Sequence, residues 1–167
     1  IPNSNYVVAD LDPKRYKFAK NCQKIDLCNL DDQKSNQFDF IIHSHVMEHI
    51  PCNVAYTLFH LHRMLKKKGR HLCIIPFVNG YYDESYNEKL SDEERTRRFC
   101  QFDHVRRFGI KDVENHIGRI LKIPKDFDAT LLFSPDILKS YNIPENHWKG
   151  LGIGTVLDLS KNDYLLQ

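Results

Sequence analysis

Phe38-Asp39-Phe40-Ile41-Ile42-His43-Ser44-His45-Val46-Met47-Glu48-His49-Ile50-Pro51 is the stretch whose reading decides the fold. It opens on an almost unbroken apolar run. The run is preceded by the polar, turn-like Lys34-Ser35-Asn36-Gln37. A short apolar run bounded by a turn predicts a buried strand. Titratable residues then crowd in, from His43 to His49. Pro51 follows two residues later, so barely one helical turn fits between strand end and proline.

Working outward, residues 54–68 have helical spacing, with Val54, Leu58, Leu61 and Leu65 on one face. Pro51-Cys52-Asn53 marks the start of this helix. Lys66-Lys67-Lys68 followed by Gly69 supplies the usual C-terminal signals. Residues 71–77 read as another buried strand. Upstream, Tyr6-Val7-Val8-Ala9 reads as a strand ended by Asp10-Leu11-Asp12-Pro13, and residues 24–30 carry a weaker strand around Ile25. The order is strand, strand, strand, helix, strand. Continuous rather than alternating apolar strands predict an α/β sheet with helices on both faces.

Beyond residue 79 the signals loosen. Residues 80–102 read as a long polar loop, suited to a lid, with a helical piece at 91–99. Ser91-Asp92-Glu93-Glu94 gives that piece a capping-box start. Spacing predicts a helix at 110–121 and closing strands at 129–133 and 154–159, with 135–149 an irregular insertion. No repeat or linker interrupts the chain, so residues 1–167 are read as a single domain.

Composition narrows the classes. The 167 residues suffice for one ordinary core. With 41% hydrophobic and 28% charged residues the profile is that of a soluble globular protein. No apolar run reaches the roughly 18 residues of a membrane span. A formal net charge of +2 argues against nucleic acid or an anionic membrane as partner. The short basic patches at 66–68 and 95–98 read as solvated helix ends. The five cysteines, at 22, 28, 52, 73 and 100, form no C-x-x-C pair. Ile1-Pro2-Asn3-Ser4-Asn5 lacks the basic start of a signal peptide. A cytoplasmic location with free thiols is the simplest expectation.

His45-Val46-Met47-Glu48-His49 spells H-x-x-E-H, the inverted zinc-protease signature. That chemistry needs both histidines on one face of a long helix, and Pro51 forbids one here. No metal site is expected from it.

The opening stretch resembles the fourth-strand motif of class I S-adenosylmethionine-dependent methyltransferases, written FD, two apolar residues, two or three polar ones, then HVLEHI. Arg63-Met64-Leu65-Lys66-Lys67-Lys68-Gly69 is similar to that family's R-x-L-K-P-G-G, with Lys68 where proline is usual and Arg70 where the second glycine is usual. Phe99-Cys100-Gln101-Phe102-Asp103-His104-Val105-Arg106-Arg107-Phe108-Gly109 looks like the FGQ-x-DHVR-x-YG segment of a bacterial branch. The resemblance covers residues 6–121.

It implies a Rossmann-like α/β sheet, S-adenosylmethionine as cofactor, and methyl transfer to a small-molecule acceptor. Asp10, beside Leu11, would accept the ribose hydroxyls, unless it caps the next segment. Asp26 would meet the adenine amino group and the Leu27 amide a ring nitrogen, with a turn-forming Asp26 as the alternative. The carbonyls of His43 and Ser44 would face the cofactor's ammonium and their side chains the substrate; otherwise His43 is a satisfied buried histidine. His45 would be the general base. Glu48 would anchor the loop. His49, Asp103, His104 and Arg106 would lie over the mouth and contact substrate. Arg106 would pair with an anionic group or, alternatively, fix the lid through an internal Asp–Arg pair.

The family places a strand, a glycine-rich loop and a helix ahead of the strand at Tyr6, and such a unit needs about 30 residues. Only five residues precede Tyr6. The expectation is therefore a partial domain whose sheet lacks its N-terminal strand-loop-helix and which pairs with a second copy to cover the gap. An inactive domain serving as a binding module is the alternative function.

Overall fold

The computed structural model describes residues 5–15, 18 and 22–165. The strands are β1 (Val8–Asp10), β2 (Cys22–Lys24), β3 (Phe38–Ser44), β4 (Leu65–Ile74), β5 (Phe77–Val78), β6 (Asp83–Glu84), β7 (Arg106–Gly109) and β8 (Val156–Ser160). The α-helices are α1 (Val54–Met64), α2 (Asp92–Phe99) and α3 (Pro135–Ser140). The architecture is mixed α/β, as expected.

β3 is the seven-residue strand read from the opening stretch. It pairs in parallel with β4, Ile41 against His71 and His43 against Cys73. β8 pairs with the other side of β4 in antiparallel sense, Cys73 against Leu157. α1 buries Val54, Leu58 and Leu61, as its spacing predicts, together with Thr57, His60 and Met64. Val54, Leu58, Leu61 and Met64 join Cys73, Leu157 and Leu159 in one apolar cluster. On the opposite face of β3, Phe40 and Ile42 are 54% and 69% exposed. β1 and β2 form a separate parallel pair, and β5, β7 and β6 a small third sheet.

Several boundaries differ from expectation, each for a local reason. α1 stops at Met64, not Lys68, and β4 begins at once. The Arg63 and Met64 carbonyls are taken by the amides of Asn36 (2.9 Å) and Gln37 (2.8 Å). The turn before β3 thus does the capping work assigned to Lys66-Lys67-Lys68-Gly69. Gly69 lies instead inside β4, where an added Cβ would meet the Lys66 and Phe38 carbonyl oxygens at 3.0 Å. β2 precedes Ile25, and the residues after Asp26 form a turn in which the Asn29 amide donates to the Asp26 carbonyl at 3.0 Å. The strand at 71–77 is split, because β4 ends at Ile74 and β5 starts at Phe77.

Residues 110–121 form short 3₁₀ turns, Val113–Asn115 and Ile117–Arg119, in place of a helix. Asp112 accepts the Tyr82 amide at 2.9 Å and pairs with His116, which pins the backbone to the loop opposite. Residues 129–133 are no strand: Ala129–Leu131 is a 3₁₀ turn capped by Asp128, and Leu131 and Leu132 are exposed. The insertion at 135–149 contains α3, capped by Ser134. α2 follows its sequence, with the Ser91 hydroxyl accepting the Glu94 amide at 3.2 Å.

Cys28 and Cys52 form a disulfide with Cα atoms 5.7 Å apart, so the expectation of five free thiols is corrected for that pair. Among the described residues, no helix is long and apolar enough to cross a membrane.

Candidate functional site

The carboxyl end of β3 builds the site. After Ser44 the chain enters the left-handed region at His45 (φ 53°). That conformation is costly for a residue with a Cβ and persists only where neighbours enforce it. Here the His45 amide donates to the Ile74 carbonyl at 3.1 Å, locking the turn to the end of β4. Met47, Glu48 and His49 form a single turn, not a helix. The zinc-protease arrangement is therefore absent from this segment, for the reason Pro51 gave.

Glu48 is buried, and it organises the turn. Its Oε1 lies 3.3 Å from Nδ1 of the half-exposed His45 and 3.9 Å from Nε2 of His49. Its Oε2 is buried with no hydrogen-bond partner among the described residues. Its carbonyl accepts the Val105 amide at 2.9 Å, which ties the turn to the segment ahead of β7. His49 Nδ1 lies 3.4 Å from Asp103 Oδ2, and its ring meets the His104 ring edge-on at 4.6 Å. His104 Nδ1 lies 2.9 Å from the Phe99 carbonyl. A carbonyl only accepts, so Nδ1 carries the hydrogen and Nε2 keeps its lone pair. Ligand atoms of Glu48, His49 and His104 lie within 4.8 Å of one another, a set that would suit a divalent cation.

A cavity of about 180 Å³ opens beside this turn, lined by His45, Pro76, Phe99, Gln101, His104 and Ile153 among others. The sequence singled out His45 and His104. Phe99, Gln101 and Ile153 went unassigned: Phe99 ends α2 and Gln101 follows it, inside the segment that resembles FGQ-x-DHVR-x-YG, while Ile153 comes from the C-terminal segment, where no local signal marks it.

Arg106 corrects an expectation. It is fully buried, and its guanidinium donates to Glu84 Oε2 (3.0 Å), the Cys52 carbonyl (2.6 Å), the Tyr86 hydroxyl (3.0 Å) and the Met47 carbonyl. Fully buried and with four of its five N–H donors so engaged, it does not reach out to a substrate anion. The internal strut is what forms, with Glu84 as the partner in place of an aspartate. Burial pushes the Glu84 carboxyl upward, but hydrogen bonds from Tyr86, Tyr82 and Arg106 outweigh it and hold the carboxyl below its usual range.

His43 corrects another. Its ring turns inward and stacks at a tilt on His71, centroids 4.9 Å apart, so it does not face a substrate. Neither ring nitrogen has a partner among the described residues, so it is not a satisfied buried histidine either. Burial lowers its pKa to about 4 and keeps it neutral. Ser44 is exposed at the strand end.

The expected cofactor residues lie at the ends of β1 and beyond β2. Asp10 Oδ1 accepts the Asp12 amide at 2.7 Å, and Asp26 Oδ1 accepts the Cys28 amide at 2.8 Å. Each carboxylate thus shapes its own turn with one oxygen and leaves the other open among the described residues, which suits recognition of hydroxyl or amino groups. Leu11 is exposed, and the Leu27 carbonyl accepts the Thr57 hydroxyl at 3.0 Å. None of Asp10, Leu11, Asp26, Leu27 and Ser44 lines the cavity beside His45.

Comparison with known proteins adds the family. A family described as a methyltransferase domain matches residues 4–114. No curated protein matches the chain. Among solved structures, the chain is similar to the YcgJ protein of Bacillus subtilis, with 15% sequence identity and a TM-score of 0.48 over 84% of this chain. It spans 62% of that protein's length. The family match takes in β1 to β7, the histidine-rich turn and the Arg106 strut, and on it the chain belongs to the methyltransferase-domain family.

Proposed function

We propose that the chain carries out S-adenosylmethionine-dependent methyl transfer to a small-molecule acceptor. The observation that carries this reading is His45. It stands in a strained turn at the carboxyl end of β3, where open α/β sheets bind ligands, and opens onto a cavity. Glu48 Oε1 lies 3.3 Å from its Nδ1, which favours the hydrogen on that nitrogen and leaves Nε2 as the basic one. His45 would remove the acceptor's proton, with Glu48 stabilising the imidazolium that results.

Asp10 and Asp26 would hold the cofactor through their open carboxylate oxygens. The bound cofactor would supply the transferable methyl group; the protein's own work is alignment, proton removal and exclusion of water. The cavity of about 180 Å³ admits a small acceptor group, and the net charge of +2 gives no electrostatic footprint for nucleic acid.

Calorimetric titration with S-adenosylhomocysteine tests the reading. One-to-one binding, abolished by Asp10→Ala, is the expected result. No binding by the folded chain, or unchanged affinity in the variant, removes the cofactor assignment. Once an acceptor is in hand, His45→Ala should lower kcat about 100-fold. The proposed location is the cytoplasm. A reducing compartment would hold Cys28 and Cys52 as thiols, so thiol counting on freshly isolated protein checks it.

A further inference from the structure

A second cluster of ligating side chains lies apart from the site above, inside the β3–β4–β8 layer. His43 and Cys73 are direct partners in the parallel register. His71 lies two residues before Cys73 on the same strand, so all three side chains project to one face. His71 and Cys73 are 0% and 1% exposed. One ligand atom from each residue lies within 4.8 Å of the other two.

Three ring nitrogens here are orphans among the described residues: Nδ1 and Nε2 of His43 and Nε2 of His71 are buried with no hydrogen-bond partner. Folded proteins pair nearly all such groups, and leaving one bare costs about 1–3 kcal/mol. Three together in one core call for an occupant. His71 Nδ1 is hydrogen-bonded to the Tyr164 hydroxyl, which fixes the ring and leaves Nε2 aimed into the cluster. Metal-bound histidines carry an outer partner of this kind.

We propose that His43, His71 and Cys73 bind one borderline-soft metal ion of the zinc class, through two imidazole nitrogens and a thiolate. The donor set excludes other occupants. Hard cations such as magnesium or calcium want oxygen, and the cluster offers none. An apolar occupant would leave the nitrogens bare. A water molecule satisfies nitrogens but gains little from the sulfur. On binding, the Cys73 thiol proton leaves to solvent and the sulfur bonds the metal. Three protein ligands leave one position for an outside ligand.

The probe is cobalt(II) alone, added to the full chain after chelator treatment. A Cys22→Ser/Cys100→Ser background leaves Cys73 as the sole free thiol, because the other free cysteines are Cys22 and Cys100. Binding of one ion with an intense near-ultraviolet thiolate-to-cobalt band and tetrahedral visible bands is expected. Cys73→Ser should abolish the near-ultraviolet band, and His43→Ala should weaken binding at least tenfold. Circular dichroism checks folding, and the exposed edge of His43 makes its variant the safer of the two. His104→Ala should change neither band. Folded protein that shows no thiolate band overturns the proposal. So does cobalt binding that His104→Ala abolishes and Cys73→Ser leaves intact, because the ion then sits with Glu48 and His49.

Discussion

Two groups of histidines grow from the same short stretch, and their surroundings differ. At the mouth of the cavity, His45, His49 and His104 each have a partner for one ring nitrogen: Glu48, Asp103 and the Phe99 carbonyl. Their rings keep access to water at the mouth. Two residues upstream, His43 faces the core with no partner and is held neutral. Strand alternation sends side chains 43 and 45 to the same side; the left-handed backbone at His45 breaks that alternation and turns its ring out. One strained residue thus separates the chemical end of the stretch from its buried end.

The largest expected effect is on the strut under the mouth. Arg106→Ala would leave the Met47 and Cys52 carbonyls without this donor and Glu84 without its cationic partner. Stability should fall by about 3 kcal/mol in urea titration. A loss under 1 kcal/mol would show that the mouth does not depend on it. The next effect has the opposite sign. His45→Gly removes the strain at φ 53° and should raise stability by about 1 kcal/mol while deleting the proposed base. A destabilised variant would mean that the contact with Glu48 outweighs the backbone cost. Ser91→Ala should cost about 1 kcal/mol by exposing the first turn of α2, the helix that ends in Phe99 at the cavity. An unchanged urea midpoint would detach α2 from the global unfolding unit.

The smallest effect concerns pH. The Arg98 guanidinium beside Asp83 holds its carboxyl below the usual range. A depressed folded pKa contributes stability that is full above the unfolded value, near 4, and is lost as pH falls through the folded one. Below pH 4 the wild-type protein should lose stability more steeply than Asp83→Asn. Parallel acid profiles would cancel the contribution of this pair.

Local signals were enough for much of the fold. The apolar run of β3, the apolar face of α1 and the Ser91 start of α2 are written in consecutive residues, and each forms where its pattern predicts. The end of α1 is not: its capping amides come from Asn36 and Gln37, almost thirty residues earlier. Nor is 110–121, where periodicity lost to the contact of Asp112 with Tyr82. In the site, His45 and His104 were legible because motif and position coincide. The partner of Arg106 was not, because Glu84 lies 22 residues away in the two-residue strand β6, whose sequence carries no pairing signal. The inward turn of the His43 ring was not legible, because alternation along a strand tells which residues share a face, not which face is covered.

The direct passage of α1 into β4 acts as a phase lock. With no loop between Met64 and Leu65, the chain has nowhere to absorb a change in length. One extra residue inserted there would reverse inside and outside along the whole strand. His71 and Cys73 would turn to water, and Arg70 and Leu72 would be driven into the core. Substitutions are readily accommodated on the lysines that follow; a single insertion before them is not.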